Sequence, residues 1–360
     1  MNPIWIKYAL IVALLTNLSY WVFLFVKLLF QREGVKKLDS KKSISLIVCI
    51  KNGEDQLSNT KFFLNALKNS DELILVDDFS TDNTLVALNQ IIDKRVRVIS
   101  APINQNGKKM ALKAGIENAK NEFIILTDID CRPMSDNWTI HLRNACIDKT
   151  KIVLGYGAYK KLPGYLNAFI RHETLMTAMQ YMSYALAGMP YMGVGRNLAY
   201  RKEVFENSDK FESHKDLASG DDDLFIAEVA NSINTSICLN PDSFTISDPV
   251  HTVQEFFQQK ARHITTSTRY RWRTKLLLSL YSASHILSYL LTFVLLIYGE
   301  YATAILFYLL RMGISWYIYA GVAKRFEEKD LSLRYPILDF SMFIYYLVLS
   351  PFLIFQKTEW

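Results

Sequence analysis

The stretch EFIILTDIDCR, Glu122–Arg132, decides how the rest of the chain is read. An apolar run, Phe123-Ile124-Ile125-Leu126, stops abruptly at Thr127-Asp128-Ile129-Asp130. β-prone apolar residues bounded by polar ones predict a strand buried on both faces, as in a parallel sheet. Alternation along an extended strand points Asp128 and Asp130 to one side and Ile129 to the other. Two carboxylates leaving a buried strand end on one side suit a hard divalent cation. Mg2+ typically takes one or two carboxylates and shares its remaining positions with water and substrate phosphates. A polar turn at a strand end has the same sequence, and a lone D-x-D is a weak motif. The surrounding residues have to decide.

Upstream, strands and helices alternate. Ile44–Ile50, Glu72–Val76 and Val96–Ser100 read as strands. Between them lie a helical segment carrying Leu57, Phe62, Phe63 and Leu67, and a helix over Thr84–Ile92 with Ser80 or Asp82 as its cap. After the turn at 104–107, a helix over Lys108–Ala119 leads into the opening strand. This alternation predicts an α/β fold, a mostly parallel, Rossmann-like sheet with helices on both faces, over residues 43–265. Ligands of such sheets bind beyond the carboxyl ends of the strands. Lys51-Asn52, Asp77-Asp78 and Asp128-Asp130 all follow strand C-termini, so the fold gathers them at one edge. Asp, Asn and Ser favour turns on their own account, but three such clusters on one edge are harder to assign to turn chemistry than any one.

The two ends of the chain are different in character. Tyr8–Val26 is almost unbroken in its apolar run, long enough to cross a bilayer core, and no small-x-small cleavage pattern follows it. Residues 1–30 therefore read as an anchor. Leu276–Tyr298, Tyr301–Val322 and Ile337–Phe355 read as three further spans. Basic clusters flank them: Lys27, Arg32, Lys36, Lys37, Lys41 and Lys42; Arg269, Arg271, Arg273 and Lys275; Lys324, Arg325, Lys329 and Arg334. The positive-inside rule makes all three clusters cytoplasmic. The expectation is an integral membrane protein with its middle domain in the cytoplasm and both termini outside. The net charge of +6 sits beside these spans, where it suits an anionic leaflet, so nucleic acid is not an expected partner. Four cysteines, none in a C-x-x-C pair, point to neither a disulfide framework nor a zinc site.

Further along, Tyr165–Ala187 has apolar residues near helical spacing. It reads as a helix covering the core, or as an interfacial helix against the bilayer. His172-Glu173 lacks the second histidine of a zinc protease motif. In Ser219-Gly220-Asp221-Asp222-Asp223-Leu224, three adjacent carboxylates repel one another and raise at least one pKa, which suits general-base work. A solvated helix N-terminus would also favour aspartates. Arg311 falls in mid-span, where a charge is costly and serves a partner or pathway. A lipid phosphate, snorkelling and helix–helix pairing are the alternatives.

The ordered series IVCIKNGED, ILVDDFSTDNT, GKKMALKAGI and ILTDIDCRP, across residues 44 to 133, resembles the nucleotide-sugar half of a family 2 glycosyltransferase with a GT-A fold. That resemblance implies Asp77 or Asp78 on the uracil or ribose of a nucleoside diphosphate, and Lys108 or Lys109 near its phosphates. Asp128 and Asp130 become the metal-binding D-x-D, with Mg2+ or Mn2+ as cofactor. Lys51, which with Asn52 is expected to bind the substrate, replaces the family's more usual Arg, and Gly53 stands where the family often has Glu. Gly193–Tyr200 resembles the family's Gly-x-Asn-x-Ala turn, which brings Gly195 and Asn197 to the donor sugar. Gly220–Leu224 resembles its Glu-Asp-x-Asp-Leu element. Asp221 then takes the catalytic base position, Asp222 is the rival if the register slips by one, and Asp223 is the second aspartate. Gln258–His263 resembles the Q-x-x-R-W motif of membrane-bound sugar polymerases and lipid glycosyltransferases. Gln259 and Arg262 match, His263 replaces Trp, and Arg262 would hold the departing diphosphate.

The implied activity is inverting transfer of a sugar from a nucleoside diphosphate sugar, UDP-linked, to a membrane lipid acceptor. A processive polysaccharide synthase with a glycan acceptor and a catalytically silent scaffold are the alternatives. A sugar nucleotidyltransferase is disfavoured because no Gly-rich loop with Arg and Lys follows the first strand.

Overall fold

Apolar runs at Ile44, Glu72 and Phe123 form adjacent strands, and their register brings the polar residues that end them to one edge. The computed structural model describes residues 3–32, 43–102, 107–217 and 219–355. The turn residues 104–106 and the basic residues Lys36, Lys37, Lys41 and Lys42 lie outside that range. The chain forms two units. One comprises Arg32–Lys160 and Tyr184–Val250; the other comprises Met1–Gln31, Lys161–Ser183 and His251–Trp360.

The first unit holds ten strands: β1 (Ile44–Ile50), β2 (Glu72–Asp77), β3 (Val96–Ser100), β4 (Phe123–Asp128), β5 (Arg132–Pro133), β6 (Ile152–Leu154), β7 (Gly157–Tyr159), β8 (Leu198–Arg201), β9 (Thr235–Ile237) and β10 (Thr245–Ser247). Seven make the main sheet in the order β3-β2-β1-β4-β8-β6-β9, and β5-β10-β7 make a small second sheet. β1 pairs in parallel with β2 and β4, and β2 with β3; β8 runs antiparallel to β4 and β6. The mostly parallel α/β architecture expected from the sequence is present. Ile50 lies opposite Asp77 and Cys49 opposite Asp128, so β1, β2 and β4 end at one level.

Both faces of these strands are covered. Leu46, Val48, Ile50, Leu73, Leu75 and Ile125 pack with Phe63, Leu88, Trp138 and Leu142 from helices on one side. On the other, the Lys108–Asn118 helix approaches closely through Gly115. A Cβ there would sit 2.6 Å from Ile47 Cγ2 and 3.1 Å from Val76 Cγ2, so only glycine permits this spacing. The helix start is thereby held at the strand ends.

Two local expectations change. β4 stops at Asp128, and the Cys131 N–H donates to the Asp128 carbonyl at 3.1 Å to close a turn. Asp130 therefore lies in a turn, and strand alternation does not orient it. Neither Ser80 nor Asp82 is the cap of the helix from Thr84: Asn83 holds that position without a side-chain cap, while Asp82 Oδ1 accepts from the Thr84 N–H at 3.0 Å in the turn before it; that helix ends at Leu88, short of Ile92.

The second unit is helical. Pro3–Phe30, Trp272–Ile297 and Tyr301–Arg325 are long and apolar enough to cross a membrane. Ile337–Phe355, the fourth expected span, lies in a helix over Tyr335–Phe355, but it is not among the helices that meet that length and hydropathy criterion within the described residues. Lys161–Ser183 also groups here rather than with the strands. Three consecutive polar side chains explain why. Arg171 pairs with Glu328 and, at 2.7 Å, with Asp330. His172 Nδ1 lies 2.9 Å from the Tyr319 hydroxyl, and Glu173 pairs with Lys260. The 43–265 domain expected from the sequence is thus interrupted at 161–183 and stops short of the Val253–Ser267 helix.

Candidate functional site

The geometry is built around Lys108, the first residue of its helix. Gly107 before it has φ of 114°, a backbone that L side chains rarely adopt, and its N–H donates to Asp78 Oδ1 at 3.1 Å. That bond ties the helix start to the end of β2. The Lys108 ammonium lies 2.8 Å from Asp128 Oδ1 and 3.3 Å from Asp221 Oδ2. The strand-end D-x-D and the acidic turn, more than ninety positions apart in sequence, therefore meet. Asp222 is joined from the other side, its Oδ2 accepting from the Gly195 N–H at 2.6 Å. A Cβ on Gly195 would lie 3.3 Å from Asp222 Oδ2 and 3.7 Å from Lys108 Nζ, so the missing side chain keeps this corner open. Cys49, Lys108, Thr127, Asp128, Gly195 and Asp221 line a small cavity there. A larger cavity, about 280 Å³, lies at the other end of the strands beside Lys120, Phe123, Arg143 and Arg201; no candidate residue lines it.

Charge explains how these groups differ. Burial disfavours the Asp128 carboxylate, but Lys108 more than offsets it and keeps that carboxyl below its ordinary range. Asp130 moves the other way, raised by burial and by the Asp128 charge. Partial burial disfavours the Lys108 ammonium, yet Asp128, Asp221 and Asp222 hold its pKa well above the usual lysine value. Of the three adjacent aspartates, Asp222 is pushed up to about 7, by burial first and then by Asp221 and Asp223. Asp222 ionises as pH passes through about 7, so activity that depends on this turn is expected to rise there. The Asp222→Asn variant should lose that inflection in kcat/KM; an unchanged profile would exclude the coupling. Stability has the opposite slope. The folded state binds the extra proton, so Asp222 makes stability fall as pH rises from the ordinary aspartate range to about 7.

Several candidates hold the frame instead of facing this corner. Lys109 turns away, and its ammonium donates to the carbonyls of His214 and, at 2.9 Å, Leu217. It therefore does not join Lys108 near the carboxylates. Asn197 is fully buried: its amide donates to the Tyr156 and Ser243 carbonyls, both at 2.8 Å, and accepts from Trp138 Nε1 at 3.0 Å. Asp223 Oδ1 accepts from the Leu224 N–H at 2.8 Å. Lys51 is exposed beyond β1. Asn52, at φ 50°, receives the Thr81 N–H on Oδ1 at 2.7 Å, and its own N–H donates to Ser80 Oγ at 2.9 Å, so it locks the loops after β1 and β2 together. Asp77 is buried, with Oδ1 unpaired among the described residues and Oδ2 taking the Ser80 N–H at 3.4 Å. Gln259, Arg262 and His263 belong to the Val253–Ser267 helix of the helical unit.

Two residues that the sequence did not single out brace the site. Asn59, buried, donates to the Ile129 carbonyl at 2.9 Å and accepts from Arg132 Nε at 2.9 Å, which clamps the D-x-D turn. Arg196 donates to the Gly157 carbonyl and to Ser247 Oγ, each at 2.8 Å, while its own carbonyl accepts from Thr127 Oγ1 at 2.9 Å. It joins β4 to the second sheet. The only sequence signal for it was a cation inside the tightly packed turn Gly193–Tyr200.

Among the described residues, no group of three or more His, Cys, Asp or Glu is arranged to hold a metal. Asp128 and Asp130 each offer carboxylate oxygen at the end of β4, the donor chemistry that a hard cation takes when water and phosphate oxygens complete its shell.

Residues 45–208 match the family described as Glycosyl transferase family 2. The chain carries a family 2 glycosyl transferase domain. The match runs from β1 past β8 and includes Lys108, Asp128 and Asp130; the Asp221–Asp223 turn follows it. An uncharacterized glycosyltransferase of Haemophilus influenzae is 39% identical over 90 residues, 24% of this chain and 36% of that protein; the similarity thus spans about a third of the relative's length. A mannosyltransferase from Pyrobaculum calidifontis, solved with GDP-Man and Mn2+, aligns over 93% of this chain and 98% of its own at 16% identity and a TM-score of 0.59. That likeness is one of fold, and the family 2 domain has the GT-A architecture expected from its motifs. Staphylococcus aureus TarS 1–349, in complex with UDP, aligns over 68% of this chain and 69% of its own at 16% identity and a TM-score of 0.43.

Proposed function

We propose that this protein is an inverting, membrane-integral glycosyltransferase. It moves a sugar from a nucleoside diphosphate donor, UDP-linked on the sequence resemblance, to a lipid acceptor at the cytoplasmic face. The observation that carries the reading is Lys108, whose contacts at 2.8 and 3.3 Å join Asp128 to Asp221. A phosphate-binding edge and a general base are needed within one substrate's length of each other, and this contact supplies that proximity. Asp77, Asp78 and Lys51 at the ends of β1 and β2 take the nucleoside. Gly195 leaves room for the donor sugar. Asp221 removes the proton of the acceptor hydroxyl as its oxygen attacks the anomeric carbon opposite the leaving diphosphate, and one displacement inverts the stereochemistry. Asp128 and Asp130 would hold Mg2+ or Mn2+, which supplies electrostatic stabilisation of the charge that builds on the diphosphate. Arg262 stays in the proposal on its Q-x-x-R motif alone. Lys109 and Asn197 are assigned to the frame.

Membrane integration is supported by three helices of sufficient length and hydropathy. The flanking basic residues favour a cytoplasmic domain by the positive-inside rule, with Ile337–Phe355 as the fourth span. A panel of nucleotide sugars offered with membrane lipid extract, with product masses measured, tests the reading. The expected product is a lipid carrying one or a few sugars, formed with Mg2+ or Mn2+ and lost with EDTA. Long polymer would reassign the acceptor to a growing glycan. No donor-dependent product from any nucleotide sugar would end the enzyme reading.

A further inference from the structure

Lys108 sits between two carboxylates that the proposed reaction uses for different purposes. Its placement is built in from three directions. Gly107 fixes the helix start on Asp78, Gly115 seats the helix against Ile47 and Val76, and Lys109 pins the His214 and Leu217 carbonyls of the loop that leads to Asp221. The Lys108 side chain retains 41% of its accessible surface, whereas Asp221 retains 9%. The lysine therefore has a route out, and the buried carboxylate does not.

We propose that Lys108 is a latch on the cation seat: it bridges Asp128 and Asp221, and it must leave Asp128 before that carboxylate can take a divalent ion. This latch rests on the proposed glycosyl transfer and sets an order of events within it. An ammonium and a divalent cation repel when they share one carboxylate, and the 2.8 Å contact to Asp128 Oδ1 puts the ammonium on the carboxylate that would hold the ion. A donor diphosphate offers Lys108 replacement acceptors, so donor and ion together open the latch. Asp221 is released by the same movement. The base is thus freed only when a donor is present.

A closed latch lowers apparent ion affinity in proportion to the fraction of molecules that are open. If about nine in ten are closed, releasing the latch tightens binding about tenfold. The test uses the full chain in detergent, with Mn2+ titrated in the absence of nucleotide and free Mn2+ read from its electron paramagnetic resonance signal. Lys108→Met is expected to bind Mn2+ about tenfold more tightly than the unaltered protein. Lys108→Arg, which keeps the charge, is expected to bind no more tightly, and Asp128→Asn to lose binding. Circular dichroism checks that each variant is folded. If Lys108→Met binds no more tightly, or binds no Mn2+ at all, while Asp128→Asn still weakens the site, the latch is overturned and the metal assignment stands. Undiminished binding by Asp128→Asn would instead overturn the metal assignment, and the latch with it.

Discussion

Asp221→Asn is expected to lower kcat for sugar transfer about a thousandfold, within the range that general-base catalysis contributes. That loss corresponds to about 4 kcal/mol of transition-state stabilisation. The carboxylate is buried at the corner where β4 and the Lys108–Asn118 helix meet, and the amide is of similar size but cannot accept the proton. Lys108 and Asp128, the groups on the phosphate side, are unaltered in the variant, so donor KM should change only about threefold while kcat falls, the pattern of an interaction made in the transition state. Asp222→Asn is the informative partner. Asp222 caps the helix starting at Asp223 and holds the Gly195 N–H, so its loss is expected to cost about tenfold, chiefly through misplacement of its neighbours. Transfer by Asp221→Asn within tenfold of the unaltered enzyme would remove Asp221 from the chemistry. A larger loss in Asp222→Asn than in Asp221→Asn would move the base role to Asp222.

Which parts of this site were legible in the sequence follows from how local their causes are. β1, β2 and β4 are apolar runs cut off by polar residues, and parallel pairing alone brings Asp77, Asp78 and Asp128 to one edge. Nothing so local describes Asp130, because β4 ends at Asp128 and a turn clamped by Asn59, seventy positions upstream of Ile129, takes over. Lys108 and Lys109 look alike in sequence. Consecutive helical residues point about 100° apart, so only one of them faces the carboxylates, and which one depends on how Gly115 seats the helix. Asn197 looked like a ligand because of its motif. A Cβ on Gly155 would come within 2.5 Å of its side chain, and such close packing has no signature in a single sequence. That the helix from Tyr165 groups with the helical unit as far as Ser183 was hidden for the same reason, since Glu328, Asp330 and Lys260, which partner Arg171 and Glu173, lie far along the chain.

Breaking the buried pair of Arg311 and Asp339 is expected to cost about 3–5 kcal/mol of stability, the range for removing one partner of a desolvated ion pair. The two side chains are only 1% and 4% exposed and contact directly. Asp339 also accepts from the Tyr289 hydroxyl at 2.7 Å and the Tyr335 hydroxyl at 3.1 Å, and the Arg311 guanidinium stands 4.7 Å from the centre of the Tyr289 ring. Arg311 is therefore engaged in helix–helix pairing, one of the three roles open to it from its position in mid-span. In Arg311→Leu the two hydroxyls remain, but the carboxylate loses the charge that balances it in an apolar setting. In Asp339→Leu the guanidinium is stranded, a costlier form because it cannot shed its proton. The double variant Arg311→Leu/Asp339→Leu leaves no buried charge and is expected to recover most of the loss, as apolar replacements of whole ion pairs often do. Thermal unfolding of the full chain in detergent, followed by size-exclusion of the surviving folded fraction, measures all three. Recovery in the double variant identifies the pair as a packing element of the helices. A double variant as unstable as Arg311→Leu alone would mean that Arg311 serves some other anion, such as a lipid phosphate, and that its contact to Asp339 is incidental to its role.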